Sequence, residues 1–214
     1  MRLYSHPASR FAARCRIQIY ARGLDVEIEE VAFPVSDAYR RINPLGLIPA
    51  LELDDGGVLI ESTVICEYFE DLGGGPALRP ADPRQRATMR LIMRLLDLNV
   101  APLMNQLYPV MFAGGRADPA MAERLRLPLD MIGRLLPEGG GFAVGGALSL
   151  ADCALVPILR QMPKLMAETG LPDPTANAPY PAYRAAVAQQ PAVARVLAEM
   201  APVIDAWGPR RVGI

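Results

Sequence analysis

The sequence predicts an α/β domain over residues 1–76 followed by an all-α domain over residues 84–214. Three observations carry this. Short apolar runs of strand type occur only in the first part, interleaved with helical patterns. Gly73-Gly74-Gly75-Pro76, with Pro80 and Pro83 after it, is a sharp break in composition. Beyond that break the apolar residues recur only at helical spacing.

Taken in order, residues 2–5 form a first strand ended by His6-Pro7. From Arg10 to Arg22, Phe11, Cys15, Ile19 and Tyr20 share a helical face, and Gly23 is the expected stop. Val26 to Val31 alternates with glutamates as a half-buried strand, and Ser36 to Ile42 is a short helix. Pro49 lacks an N–H and so belongs at the entry of a strand from Ala50 to Leu53. Asp54-Asp55-Gly56-Gly57 turns the chain into Val58 to Ile60, completing a hairpin. Glu61-Ser62 then opens a helix with Val64, Ile65, Tyr68, Phe69 and Leu72 on one side. The orphan N–H groups and dipole of such a helix start suit a ligand carboxylate.

In the second part, Asp82-Pro83 caps a long helix to about Phe112, broken or bent at Pro102 and Pro109. Further helices are expected at Ala120–Leu136, from Ser149, at Tyr183–Ala188 and at Ala192–Ile204. Ser149 and Asp152 read as a capping box, which makes Asp152 structural.

Composition narrows the function. The 214 residues are 51% hydrophobic and 21% charged, as in an ordinary globular protein. A formal net charge of −1 argues against nucleic acid as a partner. One histidine and three scattered cysteines (Cys15, Cys66, Cys153) offer no metal-ligand spacing, so no metal is expected. The same cysteines suit a reducing compartment, and the N-terminus has no apolar leader. The expectation is a cytoplasmic protein without membrane association.

Asn43-Pro44-Leu45-Gly46, Ile48-Pro49-Ala50-Leu51, the Asp55-Gly56 turn and Glu61-Ser62 together resemble the glutathione-binding half of the glutathione transferase family. Ser149-Leu150-Ala151-Asp152 resembles that family's hallmark in the all-α domain. The likeness runs over nearly the whole chain. It implies a thioredoxin-like first domain, a cis bond before Pro49 and glutathione as co-substrate. Ile48 would pair its backbone with the cysteinyl part, and Glu61 and Ser62 would hold the γ-glutamyl end.

The resemblance also implies a mechanism in which a hydroxyl and a helix N-terminus lower the thiol pKa. One unit takes only about 1.4 kcal/mol. Ser9, with Phe11-Ala12 and Arg14-Cys15-Arg16 after it, is similar to the catalytic serine of serine-type members. It is equally a good cap for the first helix. Tyr4 lies too early in the chain for the role, and Cys15 reads as core. Two positions depart from the family. Leu47 stands where many relatives hold the glycine carboxylate with a basic or amide group. Arg10 follows Ser9 in place of proline; it would assist glutathione or be a solvated charge, and Arg40 and Arg41 are further candidates.

Met104, Tyr108, Met111 and Phe112 recur at helical spacing and would line an apolar pocket for an electrophile, or be plain bundle core. Trp207 would fold over the site or staple the C-terminus. The implied function is a homodimeric glutathione transferase acting on an apolar electrophile. A glutathione-dependent isomerase or dehalogenase, and a non-catalytic scaffold, are the alternatives.

Overall fold

In a computed structural model of the chain, which describes residues 1–209, the first part is a four-stranded mixed sheet with helices on both faces. Strands β1 (Arg2–Ser5), β2 (Glu27–Glu30), β3 (Ala50–Glu52) and β4 (Val58–Ile60) lie in the order β2-β1-β3-β4. β2 runs parallel to β1, whereas β3 is antiparallel to β1 and β4. Alternation along β1 sends neighbouring side chains to opposite faces. Leu3 packs with Ile17 of α1 (Arg10–Arg22) and with Ile65 and Phe69 of α3 (Ser62–Asp71). Tyr4 packs with Tyr39 of α2 (Asp37–Ile42). This is the thioredoxin-like arrangement.

Local chemistry sets the ends of these elements. Ser9 accepts the Ala12 N–H as the cap of α1, and Gly23 ends that helix in the left-handed conformation at φ 63°. β2 is less buried than its alternation implied. Its glutamates line an edge of the sheet, and the burial falls on the flanking Val26 and Val31.

The second part is wholly helical. α4 (Pro83–Leu95), a π-helical turn (Leu96–Val100) and α5 (Ala101–Phe112) form one continuous run. The irregularity falls just before Pro102, whose ring and missing N–H disfavour an ordinary turn at that point. Pro109 stays inside α5. α6 spans Ala120–Gly133, α7 Leu150–Thr169, α8 Tyr180–Val187 and α9 Pro191–Asp205. α8 starts earlier than expected, because Pro181 is tolerated in a first helical turn. Residues 210–214 of the expected all-α span lie outside the described residues.

The capping box of α7 forms, and Asp152 does more than cap. Its carboxylate accepts from Ser149 N–H, Ser149 hydroxyl, Ala143 N–H and Tyr183 hydroxyl at 2.7–2.9 Å. α7 is almost entirely buried and packs against α1, so one apolar core joins Leu3 and Ile17 to Leu155 and Ile158. Arg14 of α1, 1% exposed, pairs with Asp97 of the π-helical turn at 2.7 Å. Both groups also bond Thr63 at the start of α3.

Candidate active site

The loop between β1 and α1 is held by its own carbonyls. Arg16 donates to His6 O and Pro7 O, each at 3.0 Å, and Gln161 of α7 donates to Ala8 O at 2.6 Å. The His6 ring accepts the Ala8 N–H on Nδ1 at 3.2 Å. Ser9 therefore leaves a loop tied down on both sides. Its hydroxyl accepts from Ala12 N–H at 3.2 Å and donates to Ile48 O at 3.4 Å, a long and weak contact. The cap and the donor role coexist on one oxygen.

Ile48 and Pro49 are joined by a cis peptide bond and face Ser9 across a short gap. The loop before them is set by polar groups. Asn43, 1% exposed, donates to Leu47 O at 2.7 Å and accepts from Leu45 N–H at 3.1 Å, while the Tyr39 hydroxyl donates to Leu47 O at 2.6 Å. Gly46 sits at φ 65° with the Arg40 guanidinium against it, 2.6 Å from where a Cβ would lie. Arg40 is exposed and makes no ion pair among the described residues.

On the far side of the gap, Glu61 adopts φ 69°, the only positive φ outside glycine among the described residues. Such a conformation costs on the order of 1–3 kcal/mol and is found most often at functional sites. It delivers the chain into α3, whose N-terminus has no side-chain cap. A cavity of about 250 Å³ opens there, lined by Leu47, Ile48, Pro49, Glu61, Ser62 and, from α5, Asn105. Phe11, Asn43, Leu45 and Ile60 complete its wall. A larger recess of about 570 Å³ lies between α6 and residues 172–180, away from Ser9. Its Arg126 is already paired with Glu123 and Asp130.

The structure corrects two expectations. Arg10 is neither a solvated charge nor a wall of the cavity; it is 5% exposed, and burial pushes its guanidinium pKa down. It donates to Tyr108 hydroxyl at 2.7 Å, Asn105 Oδ1 at 2.6 Å and Ala101 O at 3.2 Å. None of Met104, Tyr108, Met111 and Phe112, expected to line an apolar pocket, borders the cavity beside Ile48. Met104 and Met111 are fully buried in the core. Tyr108 commits its hydroxyl to Arg10 and to Gln161, and burial pushes its phenol pKa up. Phe112 and Tyr108 pack edge-on against Trp207, which holds the segment just after α9 to α5.

Other sequence readings fall into place. The Tyr4 hydroxyl donates to Glu52, so it is spent in the sheet. Cys15 is core, its Sγ 3.8 Å from that of Cys66, and the shared hydrogen bond and burial hold the Cys66 thiol well above its ordinary pKa. Sequence reasoning missed Asn105. Its one visible signal is an amide inside the apolar helix Ala101–Phe112.

A thioredoxin-like sheet domain is thus fused to an all-α bundle, with a cleft between Pro49 and the open N-terminus of α3. Residues 3–77 match the family model "Glutathione S-transferase, N-terminal domain", and residues 95–188 match "Glutathione S-transferase, C-terminal domain". The chain belongs to the glutathione S-transferase family. A probable glutathione S-transferase of Zea mays is 31% identical over 223 residues, covering 96% of this chain and 93% of that protein. Maleylacetoacetate isomerase of Mus musculus is 30% identical over 163 residues, covering 72% and 74%. A solved maleylacetoacetate isomerase of Methylobacterium extorquens AM1, with malonate and glutathione bound, superposes with a TM-score of 0.72 at 27% identity, covering 94% and 97%.

Proposed function

We propose that this protein is a glutathione-dependent isomerase of a small cis-unsaturated dicarboxylate of the maleyl type, rather than an enzyme that conjugates apolar electrophiles. The observation that carries the reading is Arg10. No carboxylate among the described residues pairs with it, although it is buried directly behind Ser9 and Asn105. Asp97, the acidic group that acts on it, is already engaged by Arg14. An unneutralised buried cation favours an anionic ligand nearby. Met104 and Met111, expected to line a pocket for an apolar electrophile, lie in the core instead. Relatives named maleylacetoacetate isomerase add support.

Glutathione would lie along the cavity, its cysteinyl part against the Ile48 backbone and its γ-glutamyl end at Glu61, Ser62 and the open start of α3. Leu47 offers its glycine carboxylate nothing, and Arg40, beside Gly46 and without an ion pair among the described residues, would supply the missing charge. Ser9 would exchange its long contact with Ile48 O for the sulfur and hold it as thiolate. The thiolate adds to one carbon of the cis double bond, and the π electrons move onto the conjugated carbonyl as an enolate. Rotation about the new single bond follows. Collapse of the enolate restores the double bond in trans geometry and expels the thiolate, so glutathione is not consumed.

The test is proton NMR of maleylpyruvate or maleylacetoacetate incubated with the protein and substoichiometric glutathione. Full conversion to the trans isomer is expected, with glutathione recovered and the rate lowered roughly a hundredfold in Ser9→Ala. Consumption of glutathione by an aryl halide without any cis–trans conversion would favour the conjugating reading instead. No glutathione binding at all would leave the scaffold reading.

A further inference from the structure

The contact between Arg10 and Asn105 decides which way the amide points. A guanidinium carries only donors, so the Asn105 atom 2.6 Å from Arg10 Nη2 is the carbonyl oxygen. That leaves Nδ2 free of Arg10, on an exposed side chain that borders the cavity. Nδ2 has no hydrogen-bond partner among the described residues. Arg10 cannot swing to release the amide. Its other nitrogen donates to the Tyr108 hydroxyl, which itself donates to Gln161 Oε1 at 2.6 Å, and Gln161 Nε2 donates to Ala8 O. The chain of donors runs in one direction from α1 through α5 and α7 back to the Ser9 loop.

We infer that Asn105 is the specificity-determining contact for the second substrate, donating from Nδ2 to a carboxylate oxygen while Arg10 behind it fixes the amide and supplies the positive charge. The substrate class rests on the isomerase reading above. Arg10 is in this account a positioning residue, because both of its terminal nitrogens donate to protein groups, while its Nε is buried without a partner. The arrangement presents one hydrogen-bond donor backed by a cation, which favours an anionic oxygen over a neutral one.

Asn105→Asp separates this from a merely structural role. The change is isosteric and gives the buried guanidinium a carboxylate, so thermal stability should hold or rise. The same change cancels the cation and places a negative charge where the ligand carboxylate would bind. Malonate is the probe, titrated calorimetrically into wild type, Asn105→Asp and Asn105→Ala, with and without saturating glutathione. Malonate affinity should fall roughly tenfold or more in both variants, a larger loss than any in glutathione affinity. Equal malonate affinity in all three proteins overturns the inference, as does failure of wild type to bind malonate in either condition. A variant that loses glutathione but keeps malonate also overturns it, since the amide would then serve the tripeptide. Failure of wild type to bind glutathione sinks the isomerase reading alone, because the malonate comparison without glutathione still stands.

Discussion

At the residue scale, pH is expected to act on the Ser9 loop through His6. Its Nδ1 accepts the Ala8 N–H one position before Ser9, which only the neutral ring can do. Burial lowers its pKa from 6.5; Glu30 opposes that shift and Arg16 reinforces it. The folded protein thus prefers the neutral ring, and this share of stability is present above pH 6.5. It is lost as pH falls below 6.5 toward the lowered folded value. Stopped-flow rates across pH 5–8 should show an acid limb from loosening of the Ser9 loop. His6→Gln, which keeps an acceptor that does not titrate, should flatten that limb. A limb unchanged in His6→Gln would show that another group controls it.

At the scale of elements, α7 is organised by a single carboxylate. Burial raises the pKa of Asp152, while bonds from Ala143, Ser149 and Tyr183 pull it back. All of these donors are buried, so removing the acceptor strands several of them at once. Asp152→Ala is expected to cost about 3–5 kcal/mol in urea unfolding. Catalysis per folded molecule should be unchanged, since Asp152 borders no part of the cavity. Loss of turnover in the folded fraction would contradict a purely structural role. Ser149 and Asp152 were readable as a box from their spacing alone, because capping is local. The Ala143 and Tyr183 contacts were not, because they come from distant parts of the chain.

For the whole molecule, the family resemblance points to a homodimer that pairs across α3 and the long helix after residue 84. Val64 of α3, Leu91 of α4 and Leu98 of the π-helical turn support this, for all three leave an apolar side chain exposed on those elements. Sedimentation velocity should find a dimer at micromolar concentration, and Leu98→Glu should shift it toward monomer by burying an unpaired charge. A wild-type monomer would remove the prediction.

Short-range signals were already legible in the chain. The hairpin at Asp54–Gly57, the Ser9 and Gly23 ends of α1, the strand entry at Pro49 and the Ser149 cap depend on neighbours a few residues away, and periodicity reveals the rest of each element. Tertiary structure decided what depends on distant partners. It buried Arg10 against α5, took Met104 and Met111 into the core, and set Asn105 beside the cavity with its carbonyl oxygen on Arg10. Helical spacing places Met104 and Asn105 one step apart on α5. Only the packing of α1 and α7 against that helix determines which of them meets the core and which meets a ligand.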